Sequence, residues 1–92
     1  MRFDAIEISD EVLEKIESKH GVTFDEAEEA CFSGQRHVRI ARDGLYRLFA
    51  RTDSGRHLLV VLANAGGGVW RLVTAREMTS RERQLYKKST GE

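Results

Sequence analysis

The chain has 92 residues, of which 40% are hydrophobic and 33% charged, and this composition predicts one domain over residues 1–92 with a modest core and a highly solvated surface. Its longest apolar run, Leu58–Ala63, is too short to span a membrane, and its acidic N-terminus lacks the basic flank and apolar segment of a secretory signal. We therefore expect a cytoplasmic protein that does not associate with membranes. The net charge is zero.

Two helices are predicted in the first third of the chain. The first begins at Ser9 or Asp10 and ends at His20-Gly21, where the glycine occupies its usual place beyond the last turn. The second begins with Thr23-Phe24-Asp25-Glu26, a capping box in which two side chains satisfy each other's backbone N–H groups. It ends at Ser33-Gly34.

After the second helix the pattern changes from helical to alternating. Four strands are predicted, with a glycine-containing turn between each pair of neighbours: Arg36–Arg42, Leu45–Thr52, Arg56–Asn64 and Val69–Arg76. Because the turns are short, neighbouring strands must be antiparallel. A second capping box, Thr79–Glu82, opens a final helix. The predicted fold is therefore α+β, with two N-terminal helices, a four-stranded antiparallel meander sheet and a C-terminal helix.

The expected strand register brings two arginines to one face of this sheet. If Ser54-Gly55 is a two-residue loop, Arg47 faces Leu62 on the next strand. If Asn64 faces Val69, Leu62 also faces Arg71. The two guanidinium groups would then lie about two strand spacings apart, ~10 Å, and could clamp a phosphate over an apolar floor. A slip of one residue in the glycine turn would move Arg71 to the opposite face.

The zero net charge hides a division of the chain. Residues 1–34 hold ten acidic and three basic residues, whereas residues 35–92 hold twelve basic and five acidic ones, and ten of those twelve are arginine. A guanidinium group offers a planar fork of donors that suits phosphate. The basic part could therefore bind RNA or an acidic protein, or the acidic helices could simply neutralise the sheet.

Several segments taken together resemble the BrnT family of bacterial toxins. Lys19–Ala27, KHGVTFDEA, is similar to the KHGVSFEEA-type segment of that family. Tyr46–Thr52 and Gly55–Val61 resemble its second and third strands. Arg71–Arg76, followed by the Glu82-Arg83 pair and Tyr86, is similar to its RIISAR…ER…Y ending. The resemblance extends from about Phe3 to Lys87.

The resemblance implies a RelE-like fold and the toxin component of a type II toxin–antitoxin system. Such a toxin cleaves RNA, either free or as ribosome-bound mRNA, and thereby inhibits translation. The implied partner is a BrnA-like antitoxin with a ribbon-helix-helix DNA-binding part, so that operator DNA is bound only through the antitoxin.

RNA cleavage without a metal uses the ribose 2′-OH as nucleophile, and the enzyme must remove its proton and stabilise the crowded phosphate. Arginine stabilises charge but does not act as a base. The candidate catalytic residues are Arg47, Arg71, Arg76 and His20, with His20 as the base. The candidate RNA-binding residues are Lys19, Arg51, Arg83 and Tyr86.

Each candidate has a structural alternative. The arginines could be solvated surface charges, His20 could bond the exposed carbonyls at its helix end, and Tyr86 could belong to the core. Cys31 is expected to be a small core thiol. No cluster of His, Cys or carboxylate residues suggests a metal, and no cofactor is expected.

A second function remains open at this point, namely a degenerate toxin that binds protein or nucleic acid without catalysis. Arginines gathered in one groove would favour the nuclease. Arginines scattered over both faces of the sheet would favour the binding module.

Overall fold

The computed structural model describes residues 1–91, in which three helices cover a five-stranded mixed sheet. The elements in chain order are β1 (Ala5–Glu7), α1 (Asp10–His20), α2 (Phe24–Cys31), β2 (His37–Ile40), β3 (Tyr46–Arg51), β4 (His57–Gly66), β5 (Val69–Glu77) and α3 (Ser80–Thr90). The strands lie side by side in the order β1-β5-β4-β3-β2, so that β4 is central.

The predicted four-stranded antiparallel meander of RelE-like type is wrong, because a short strand, β1, precedes α1. This strand pairs in parallel with β5, and Ile6 lies opposite Trp70. Three residues are too few to show an alternating pattern. The partner strand lies near the other end of the chain, so no local signal reports the pairing. The sheet is therefore mixed, with one parallel pair at one edge.

The helix ends follow from local side-chain chemistry. Ser9 accepts a hydrogen bond from the backbone of Val12, and Gly21 closes α1 in the left-handed conformation at φ 62°. Both predicted capping boxes are present, at Thr23 before α2 and at Thr79 before α3. Within residues 1–91, no helix combines the length and the apolar character needed to cross a membrane.

The two N-terminal helices cover one face of the sheet, which we call the inner face. Helix α1 packs against β5, and α2 packs against β3 and β4. The buried core between them contains large apolar side chains from every layer, including Ile16, Val22, Leu48, Leu62 and Leu72. Burial of these side chains is the main force that holds the helices on the sheet.

The opposite, outer face is only partly covered. Helix α3 crosses one end of it, where the Tyr86 ring packs edge-on against His57 with ring centroids 5.8 Å apart. Leu59 and Val61 point to this face and are 4% and 7% exposed. The end that carries Arg47 and the β4–β5 turn is left open by α3.

The strand register differs from the predicted one at both turns. Arg47 lies opposite Val61, and Arg71 lies opposite Ala63. A register irregularity in β5 leaves Val73 between the pairs Val61–Thr74 and Leu62–Leu72. Because Val61 and Ala63 are two residues apart on one strand, they share a face. Arg47 and Arg71 therefore still share the outer face, although neither partner is the predicted Leu62.

Candidate nucleic-acid interface

Three arginines lie on the open part of the outer face. Arg39 of β2 is directly opposite Arg47 of β3, and Arg71 of β5 lies further across the sheet. From the register and the strand spacing, Arg47 and Arg71 are about 10 Å apart across the strands and two residues, about 7 Å, apart along them. The buried side chain of Val61 lies between them. This arrangement places positive charge over an apolar floor.

The environment of Arg47 leaves part of its charge uncompensated. Its Nη2 lies 3.4 Å from Oδ2 of Asp43 in the preceding turn. Its Nη1 is buried and has no hydrogen-bond partner among residues 1–91. The pKa of Asp43 is lowered, first because its carboxylate accepts the Leu45 N–H and also because of Arg47. A buried cationic donor without an acceptor is costly to the fold.

Arg71 is exposed on the outer face, and no hydrogen bond or ion pair of its side chain is found within the described chain. Arg51 also points to the outer face, at the opposite end of β3, and is exposed. It lines a depression near Gln35 and Tyr86. The sheet thus brings together Arg47 and Arg71 at one end, with Arg51 on the same face but beside α3.

Arg76 also lies on the outer face, but its guanidinium is occupied. It forms a two-pronged ion pair with Glu82, with Nη1–Oε1 at 2.8 Å and Nη2–Oε2 at 3.0 Å. Hydrogen bonding between the two side chains raises the pKa of Arg76 and lowers that of Glu82. Arg76 therefore joins the end of β5 to the first turn of α3, next to the capping box.

The two remaining candidates on α3 have different surroundings. Tyr86 is 1% exposed, and its hydroxyl donates to the carbonyl oxygen of Gln35 at 2.6 Å. Arg83 is exposed and lines a small cleft of about 180 Å³ together with His57 and Met78. Tyr86 thus secures α3 to the segment before β2, whereas Arg83 faces solvent at the edge of the sheet.

His20 and Lys19 lie away from these arginines. Both belong to the last turn of α1, which packs on the inner face against β5. In that turn they are placed near the negative end of the helix dipole. The structure therefore does not bring His20 together with Arg47 and Arg71.

Sequence reasoning missed an ion-pair network on the inner side. Arg56 contacts Glu26 at 2.9 Å and Glu77 at 2.9 Å, and it donates to the carbonyl oxygen of Gly21 at 2.8 Å. The hydrogen bond from the backbone N–H of Thr23, and after it the hydrogen bonds from Arg56, lower the pKa of Glu26. Because these groups are far apart in sequence, no local motif could have identified the network.

Two further observations concern the lone thiol and the possible metal ligands among the described residues. Cys31 is buried in the core, and burial raises the pKa of its thiol to about 12, so it stays protonated. Across residues 1–91 no three His, Cys, Asp or Glu side chains come close enough to hold a metal ion.

The sequence analysis also overlooked Arg39 and the aromatic pair of His37 and Phe49. In the sheet, His37 lies opposite Phe49, in the row next to Arg39 and Arg47. The alternation of side chains along β2 and β3 was the signal that could have placed all four on one face.

Comparison with known proteins decides the family. The model of the family described as the ribonuclease toxin BrnT of type II toxin–antitoxin systems matches residues 10–82. The chain belongs to the BrnT family. The resemblance inferred from the sequence is therefore confirmed, and this BrnT-family chain is related to ribonuclease toxins of type II toxin–antitoxin systems.

A solved structure supports the fold independently. The chain is similar to the crystal structure of the Brucella abortus ribonuclease toxin BrnT, with a TM-score of 0.69 and 13% sequence identity. The similarity covers 83% of this chain and 97% of the Brucella toxin. No curated protein matches the sequence.

Proposed function

We propose that this BrnT-family chain is an RNA endonuclease that needs no metal, inhibits translation in the cytoplasm, and is neutralised by a BrnA-like antitoxin of the ribbon-helix-helix type. The observation that carries the proposal is the convergence of Arg47 and Arg71 on the open outer face. Two guanidinium groups over a buried floor can hold a phosphodiester and stabilise its extra charge in the transition state.

In the proposed reaction the 2′-oxygen of the ribose forms a bond to phosphorus and loses its proton. The bond between phosphorus and the 5′-oxygen breaks, and the 5′-oxygen takes up a proton, which leaves a 2′,3′-cyclic phosphate and a 5′-hydroxyl. Arg47 and Arg71 contact the phosphate oxygens. Since Arg76 is paired with Glu82, we assign it the role of positioning α3, and we assign no proton transfer to the distant His20.

Arg51 and Arg83 supply additional positive charge at the margin of the same sheet. Both are exposed, and neither needs to contact the reacting phosphate in order to attract RNA. Lys19 lies on α1 and is not required for this mode of binding.

The test is cleavage of purified RNA and of ribosome-bound mRNA by the parent protein in the presence of a metal chelator. We expect cleavage with 2′,3′-cyclic phosphate ends, no cleavage of a strand with 2′-deoxyribose at the cut site, and growth arrest on induced expression. Arg47→Ala and Arg71→Ala should each lower the cleavage rate by about 100-fold.

Arg81→Ala, which removes an exposed charge from α3, is the matched control and should cleave at the parent rate. Co-expression of a BrnA-like antitoxin should restore growth. Full activity of both Arg47→Ala and Arg71→Ala would show that the phosphate is bound elsewhere.

A non-catalytic binding module is the second candidate, and the separation of His20 from the arginines favours it. Without a base near the phosphate, the outer face would bind RNA or an antitoxin but would not cut. A parent protein that binds RNA and cleaves none, with or without ribosomes, would establish this alternative.

A further inference from the structure

Two cross-strand pairs lie next to each other on the outer face of β2 and β3. One pair consists of Arg39 and Arg47, and the other of His37 and Phe49. The ring centroids of His37 and Phe49 are 6.1 Å apart, with an interplanar angle of 34°. A row of two guanidinium groups therefore borders a row of two rings, and we call these four residues the β2–β3 platform.

The charge of the platform has no adequate counterpart in the protein. Like charges directly opposite each other in a sheet destabilise it. No ion pair or hydrogen bond of the Arg39 side chain is found within residues 1–91, and Nη1 of Arg47 is buried without an acceptor. Both arginines line an open cleft of about 440 Å³ together with Ile40 and Ala41. The one carboxylate that contacts the platform within residues 1–91 is Asp43, at 3.4 Å from Arg47, and it leaves Arg39 without an anion.

The neighbouring rings distinguish between two kinds of anion. An acidic peptide needs only the arginines, whereas single-stranded nucleic acid places a base beside every phosphate and stacks it on aromatic side chains. Phe49 and His37 are half-buried, so that part of each ring reaches solvent beside the arginine row. The combination of guanidinium row and ring row suits a nucleotide better than a carboxylate.

We propose that the β2–β3 platform binds one nucleotide of a single-stranded RNA, with its phosphate between Arg39 and Arg47 and its base on Phe49 and His37. This inference rests on the proposed function, because the strand bound here is the one that reaches Arg71. Arg47 thus belongs to both sites, whereas Arg39 and Phe49 act in binding alone. The platform thereby determines which of the two RNA segments that flank the cleavage site lies over β2.

The test is the binding of a labelled single-stranded RNA oligonucleotide, in chelator, measured by fluorescence anisotropy at several salt concentrations. Arg39→Ala should weaken binding about tenfold and reduce the slope of log K against log salt by about 0.7, the value for one phosphate contact to a single strand. Phe49→Leu keeps an apolar side chain but removes the ring, and it should also weaken binding about tenfold, with an unchanged salt slope.

Arg81→Ala removes the same charge from an exposed position on α3 and should reduce binding far less than Arg39→Ala. Folding is checked by thermal melting. Arg39→Ala relieves a like-charge pair and should melt no lower than the parent. Weaker RNA binding in a protein that is at least as stable is the expected signature of a binding residue.

The outcomes separate this inference from the proposed function. If the parent cleaves RNA and Arg39→Ala binds it as tightly as the parent, the platform is wrong and the nuclease stands. If binding depends on Arg39 and Phe49 but nothing is cleaved, the platform stands and the nuclease is wrong. Poly-glutamate that displaces RNA at equal charge concentration, or an unchanged affinity of Phe49→Leu, would overturn the assignment to nucleic acid.

Discussion

Glu82 holds the start of α3 through two separate contacts. Its carboxylate accepts the backbone N–H of Thr79 at 2.8 Å and pairs with Arg76 at 2.8 Å. The first contact belongs to the helix cap and the second joins the helix to β5. Glu82 therefore belongs to a local capping motif and also limits how accessible the guanidinium group of Arg76 is.

Replacement of Glu82 by glutamine tests this double role. Glu82→Gln keeps the size of the side chain but removes its charge, and at pH 7 we expect it to lower the free energy of unfolding by about 1–2 kcal/mol. Glu14→Gln, an exposed carboxylate on α1, should change it by less than about 0.5 kcal/mol. Chemical denaturation measures both.

The pH dependence of this difference has a definite sign. Because the pKa of Glu82 is lowered in the folded protein from its usual 4.5, the carboxylate stabilises the fold above about pH 4.5. That contribution disappears as the pH falls through the lowered pKa. The stability difference between parent and Glu82→Gln should therefore be constant above about pH 5 and shrink below 4.5, and a gap that persists unchanged at pH 3 would rule out the ion pair as its origin.

At the scale of elements, the turn between β4 and β5 also fixes the position of β1. The carbonyl oxygen of Gly68 accepts the N–H of Asp4 at 2.8 Å, and Gly68 has a positive φ of 83°. A Cβ atom at this position would lie 2.4 Å from Oδ2 of Asp4. The positive φ favours glycine, and a larger residue would also have to displace the Asp4 side chain.

Two glycine variants separate the backbone effect from the contact. Gly67 has a φ of 61° and open space around it, so Gly67→Ala measures the cost of the left-handed conformation alone. We expect Gly68→Ala to be less stable than Gly67→Ala by about 1 kcal/mol, because it also displaces Asp4. Equal melting temperatures for the two variants would mean that the contact contributes nothing.

Arg56 links more elements than any other side chain described above. It contacts the α1–α2 junction at Gly21, the cap of α2 at Glu26, and the end of β5 at Glu77. A lysine keeps the charge but cannot spread its donors over three acceptors.

We therefore expect Arg56→Lys to lower the free energy of unfolding by about 1–2 kcal/mol in urea denaturation. Arg42→Lys, in the exposed turn after β2, is the control and should be close to neutral. Parent-like stability of Arg56→Lys would indicate that one contact suffices.

Over the whole molecule, the features that could be predicted from the sequence are those determined by residues close together in the chain. The capping boxes at Thr23 and Thr79 were predictable because four consecutive residues determine them. Strand β1 was not, because its partner is distant in sequence and its three residues carry no pattern. The helices and the four later strands contained enough periodicity to be recognised.

The site was predictable only in part, because its geometry depends on register. The turn closed by the Gly55 N–H to Thr52 carbonyl bond shifted Arg47 by one residue from its expected partner. The short Gly67-Gly68 turn and the register irregularity between Asn64 and Gly66 moved Arg71 by one residue as well. Each one-residue shift moves an arginine to the opposite face of the sheet, so both arginines still share a face. The separation of His20 from them depends on which side of the sheet α1 packs, and no local pattern encodes that.

The pairing of β1 with β5 has a consequence for the synthesis of this toxin. Strand β1 is made before every other described strand and can pair only once β5 has followed it. An unfinished polypeptide that stops before β5 lacks Arg71 and leaves one edge of the sheet unbuilt. Until β5 has been made, β1 has no strand to pair with, and its backbone N–H and C=O groups stay available to the strands of other chains.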